Sequence, residues 1–188
     1  LNWAIYVANR AENSKQLLPL SDWEKVLIQN WKFFAEQNGM RFDEKNLILK
    51  GLYKGFETQV NLGKSGQQTW LTEFKLDFGK SLRTGLQILQ QNSLHQLVSF
   101  LGAQDIEVGE TIFDKTFVVK AKNVQTVQFL LKPDLCQQLI KLNTLAKNLK
   151  IDDEGIFLST ESVINDARSL QSYLDEIAKA AQMVLRQN

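Results

Sequence analysis

Cysteine, histidine and proline are nearly missing from this chain, whose 188 residues hold one Cys, one His and two Pro. The lone Cys136 excludes an internal disulfide, and nothing in the cysteine usage marks an oxidising compartment. One imidazole and one thiol cannot supply the usual ligand set of a zinc site, so no metal is expected. No G-x-S-x-G phrase is present to make a serine nucleophile for His95, which reads as a surface or rim histidine. An excess of charge of either sign is also lacking: 22 basic and 21 acidic residues leave a net +1. Such a chain has no long-range field to gather a polyanion or an anionic membrane. Apolar runs are short, whereas a membrane span needs roughly 20 apolar residues, so no bilayer crossing is expected.

What remains is ordinary globular material. Hydrophobic residues make up 44% and charged residues 23%, which excludes global disorder. Residues 1–20 read as an N-terminal arm and 21–188 as a single α+β domain, divisible into sub-halves 21–102 and 103–188. The chain begins at Leu1 rather than Met, and the apolar LNWAIYVA, with Trp3 and Tyr6, reads either as the foot of an upstream anchor or as a packed terminal arm. The expected location is cytoplasmic, at the membrane face if an anchor precedes Leu1.

Ser21 and Glu24 have capping-box spacing. Trp23, Val26, Leu27, Trp31 and Phe34 follow at threes and fours, a single helical stripe that Gly39 ends. From Leu47 the period drops to two. NLILKGLY, then Phe56 to Leu62, then Trp70 to Phe78 read as three strands with one wet face, and Leu82 to Gln90 suggests a fourth. Asn92 or Ser93 opens a short helix that Gly102 stops. Phe117, Val119 and Ala121 alternate in a strand, Asn123 caps a helix, and Pro133 suits the first position of another, striped by Leu135, Leu139 and Leu142. Leu149 and Ile151 face Ile156 and Leu158 across a hairpin, and from Leu170 to Leu185 helical spacing runs on. The expected architecture is α+β, two-layer, an antiparallel sheet with helices packed on one face. The run from Gln104 to Pro133 joins the strand-rich half to the helix-rich half.

Candidate chemistry is sparse. Cys136, one turn into the helix opened by Pro133, suits a dipole-activated nucleophile, but its apolar neighbours favour a packed side chain. Gly63, Lys64 and Ser65 mimic the end of a phosphate loop, yet Thr58 stands where its first glycine belongs, and the segment reads as a hairpin turn. Asp152, Asp153 and Glu154 read as a solvated acidic turn rather than a calcium loop. Asp105, Glu107, Glu110 and Asp114 cluster at the organising junction and are the candidate binding rim. Lys45, Lys50, Lys54 and Lys64 lie among Tyr53, Phe56 and Trp70, but alternation buries most of those rings, so a nucleic-acid platform is not expected.

The stretch FDKTFVVKA, then QFLLKPDLCQQLIKL and LKIDDEGIFLS, resembles an uncharacterised bacterial family with the pattern F-D-x-x-F-x-V and L-x-P, matched by Phe113, Asp114, Phe117, Val119, Leu131 and Pro133. The resemblance covers roughly residues 104 to 160. Many members carry membrane helices ahead of a soluble α+β domain, and the resemblance implies no catalytic residue and no cofactor. The expected function is a non-catalytic protein-binding or scaffolding module, associated with a membrane-anchored protein. The alternative is a carrier of an apolar small ligand between sheet and helices, on account of Phe56, Trp70, Phe74 and Phe78.

Overall fold

A computed structural model describes residues 21–65, 69–92 and 104–186. Helix α1 (Asp22–Asn38) starts where the Glu24 carboxylate accepts from both the amide and the hydroxyl of Ser21. It ends at Gly39, whose φ of 63° lies in the left-handed region that costs glycine nothing. Strands β1 (Arg41–Asp43), β2 (Ile48–Tyr53), β3 (Phe56–Ser65) and β4 (Thr69–Asp77) follow as an antiparallel meander. Gly63 to Ser65 thus belong to a strand, not to a turn as expected. The space above Gly63 is taken by the Glu73 carboxylate, which would repel a phosphate.

Strand β5 (Gln87–Gln90) does not extend the meander. It inserts between β7 (Phe117–Ala121) and β8 (Asn148–Asp152). Strand β9 (Gly155–Ser159) pairs with both β8 and β4, and β6 (Gln104–Asp105) closes the far edge, so nine strands run β1-β2-β3-β4-β9-β8-β5-β7-β6 with every pair antiparallel. The expected hairpin register holds: Leu149 opposes Leu158 and Ile151 opposes Ile156. The contact of β9 with β4 is close enough that a Cβ at Gly155 would strike the Leu76 carbonyl.

Between β6 and β7 lies α2 (Thr111–Thr116), and α3 (Val124–Leu130), α4 (Pro133–Leu145) and α5 (Ala167–Arg186) are the other helices among the described residues. Asn123 Oδ1 accepts from the Thr126 amide at 3.1 Å and Pro133 opens α4, both as the residue types require. Helix α5 crosses β4 and β9, with α1 over β1 and β2 on one side and α4 over β8 on the other. Its Ala178, Ala180 and Ala181 are fully buried, which lets neighbouring elements approach closely. Tyr173 stacks on Phe74 with ring centroids 5.3 Å apart and planes 7° from parallel. The result is the expected two-layer α+β fold: one continuous apolar core lies between the sheet and its helices. The helix expected after Asn92, with His95, lies outside the described residues.

Candidate functional site

Helix α1 turns two unlike faces outward and inward. Leu27, Trp31, Phe34 and Ala35 are buried in the core, and the Trp31 indole N–H donates to the Ile164 carbonyl at 2.9 Å. That carbonyl belongs to a loop strapped onto β4, where the Ile164 amide donates to Thr72 Oγ and the Thr72 amide donates to Thr160 Oγ. The expectation of one stripe fails at the start of the helix. Trp23 is 37% exposed and Val26 45%, and Phe33, two turns on, is 54% exposed. Numbered from Trp23, positions 23, 26, 30 and 33 carry Trp, Val, Asn and Phe, alternating steps of three and four that make an a/d seam. Asp22, Gln29 and Glu36, all exposed, flank its outer side. The Asn30 amide is drawn to the Asn165 carbonyl at 2.8 Å, on the side nearer the core.

Polar clusters elsewhere hold the fold together. At the β2–β3 hairpin the Tyr53 hydroxyl donates to Asp175 Oδ1 at 2.5 Å, Lys54 Nζ reaches the same oxygen at 2.7 Å, and the Gln171 amide donates to the Tyr53 oxygen at 2.9 Å. Burial, then the bond to Asp175, pushes the Tyr53 phenol well above its ordinary value. For Asp175 burial acts upward, but the hydrogen bonds from Lys54, Tyr53 and Gln171 outweigh it and hold the carboxyl below the usual range.

Asp153 corrects the reading of a solvated acidic turn. Its carboxylate accepts from Thr84 Oγ at 2.7 Å, from the Gly85 amide at 2.7 Å and from the Leu86 amide at 3.0 Å. It thereby fixes the chain leading into β5. Nothing local in the sequence singles out Asp153 from its acidic neighbours, because its partners are remote along the chain.

The residues of the candidate rim fall at one corner but do different things. Asp105 enters the sheet opposite Lys120 through its backbone. Glu107 and Glu110 are exposed. Asp114 closes the corner, Oδ1 accepting from the Val108 amide at 3.0 Å and Oδ2 from the Gly109 amide at 2.9 Å. Phe113 and Phe117 pack behind it with centroids 4.9 Å apart. The F-D-x-x-F phrase is therefore the packing and clamping of a tight corner.

Cys136 faces the same corner from α4, fully buried, its thiol 3.6 Å from the Leu131 carbonyl. Burial, and then the charges of Glu110, Asp114 and Asp134, push the thiol up to about 12. A thiol so placed stays protonated at neutral pH and is a poor nucleophile, whatever the helix dipole offers. Among the described residues no three His, Cys, Asp or Glu side chains converge as metal ligands would.

The rings on the sheet's inner face, Phe56, Phe74 and Phe78, are buried in the core, with Trp70 packed at its margin. No helix among the described residues is long and apolar enough to cross a membrane.

The fold is that of a two-layer α+β protein with a wide antiparallel sheet. It is similar to the crystal structure of the mycobacterial trehalose monomycolate transport factor A, TtfA, with a TM-score of 0.51 over 85% of this chain and 94% of that one. At 11% identity this likeness is one of fold. No protein-family model matches the sequence, and no curated protein aligns with it.

Proposed function

We propose that the chain is a non-catalytic protein-binding module that engages a helix of its partner through the outward seam of α1. The observation that carries the reading is the exposure of Trp23, Val26 and Phe33 at a/d spacing on a helix already anchored by its other face. From Trp23 to Phe33 the seam runs about 15 Å at 1.5 Å per residue, the length of a short helix–helix contact. At its outer margin Asp22 is paired with Lys25 at 3.0 Å while Glu36 stands exposed, which calls for a partner helix with apolar residues in the seam and a basic residue beside Glu36. A buried aromatic anchor of this kind dominates the energy of most interfaces. The shared fold with a transport factor supports a role without catalysis.

An apolar small ligand between sheet and helices is the lesser reading. Phe74 already spends its face on Tyr173, so such a ligand would have to part α5 from β4.

A photo-crosslinking residue at position 33, with position 32, about 100° around the helix and off the seam, as control, tests the reading in cells. The expected result is a discrete adduct at 33 and none at 32, whose purified partner then binds the wild-type chain at least about tenfold more tightly than Trp23→Ser/Phe33→Ser. Equal adducts at both positions, or equal affinity for the variant, would overturn it.

A further inference from the structure

The sheet has a second face, and its register arranges charge across the strands. In an antiparallel sheet, residues directly opposite one another project to the same side. Arg41 opposes Lys50, Lys50 opposes Gln59, and Gln59 opposes Lys75. Lys75 in turn opposes Phe157, and Phe157 opposes Lys150. These residues alternate with the core positions Leu49, Val60, Phe74 and Leu158, so the row lies on the side away from the helices. Across six adjacent strands, about 24 Å at 4.8 Å per strand, it carries four basic side chains around one half-buried ring.

Carboxylates flank the row. Glu57 and Asp77 oppose each other two residues to one side, with Asp152 beyond them and Lys120 farther out. Asp43 and Glu73 stand two residues to the other. Lys150 is paired with Asp152 at 2.9 Å. Lys50 and Lys75 are exposed, and neither has a carboxylate within 4 Å among the described residues.

We infer that this row is a docking surface for an extended acidic segment of a partner protein, with Phe157, between Lys75 and Lys150 near one end, receiving an apolar side chain. The width of the row selects the occupant. A basic strip bounded on both sides by carboxylates, each about 7 Å away, admits one narrow chain of negative charge and repels a wider polyanion. A nucleic-acid strand also wants successive rings on which its bases stack, and the row offers one. A net charge of +1 gives no broad field for an anionic membrane. Seven or eight extended residues, about 3.4 Å each, cover the row. This surface stands apart from the seam of α1, and neither depends on the other.

Fluorescence anisotropy with the whole chain tests it, using a labelled peptide of about eight alternating glutamates and leucines, a length-matched oligothymidylate and phosphatidylserine vesicles. Saturable binding of the peptide is expected, weakening as salt rises from about 50 to about 300 mM. Lys50→Glu/Lys75→Glu should weaken it at least about tenfold, while Lys132→Glu, on the helical side, leaves it unchanged. Preference for the oligonucleotide or the vesicles, no saturable peptide binding, or unchanged affinity in the double variant each overturns the inference. If the double variant melts early, Lys75→Gln decides: a loss of about threefold supports the row, and none overturns it.

Discussion

The two tryptophans of α1 sit eight residues apart and meet opposite fates. Trp31 is fully buried and its indole N–H is satisfied by the strapped loop at Ile164, whereas Trp23 stands partly in water at the start of an outward seam. A helix wheel places both near its apolar arc. The arc of α1 is wider than the sheet beneath it: the part over β1 and β2 is consumed in the fold, and the remainder stays in water.

The sharpest way to break that contrast is truncation. Trp31→Ala should cost about 3 to 5 kcal/mol, since it opens a large cavity and strands the Ile164 carbonyl, and thermal or urea unfolding measures it. A loss under about 1 kcal/mol would mean that α1 is not anchored as described. Next in size is Asp153→Ala, which removes an acceptor shared by three donors leading into β5. A loss of about 2 to 3 kcal/mol is expected, with faster amide exchange at Gly85 and Leu86.

Tyr53→Phe should cost about 1 kcal/mol. Its cluster also sets a pH dependence, whose two signs differ. The folded-state pKa of Asp175 lies below its unfolded value, so its contribution is present above the ordinary carboxylate range and fades as pH falls through the folded pKa. The phenol of Tyr53 is shifted upward, so its contribution is whole below about pH 10, the unfolded value, and fades as pH rises beyond it. Melting temperatures of wild type and Tyr53→Phe should therefore converge at high pH; a constant gap would sink the assignment.

The smallest stability effect sharpens the contrast from the other side. Trp23→Ala should lie within about 0.5 kcal/mol of wild type, because its ring is already partly in water, and under the proposed function it also weakens partner binding. For Cys136, a disulfide reagent at pH 8 should label the native chain at the rate of its opening, and fast labelling without unfolding would contradict the burial of the thiol.

Much of the fold was legible because the signals were local. Asn123 and Pro133 mark helix starts whatever surrounds them, and the pairing of Leu149 with Leu158 follows from a short hairpin. Helix α2 was not legible, since six residues hold under two turns and show no period. Nor was β1, three residues long. Of the candidate rim, Asp114 accepts from the Val108 and Gly109 amides, a contact that its acidic character alone does not reveal.

Periodicity and end signals in the sequence determined the types of the longer elements, the two-layer α+β class and the side of the longer strands that turns to the core, because these depend on neighbours a few residues away. Tertiary structure alone decided that β5 enters between β7 and β8, that Asp153 rather than Asp152 or Glu154 becomes an anchor, and which half of the α1 arc stays in water. Those outcomes depend on which remote backbone amide or apolar surface the folded chain places against a given side chain, and no local pattern encodes that placement.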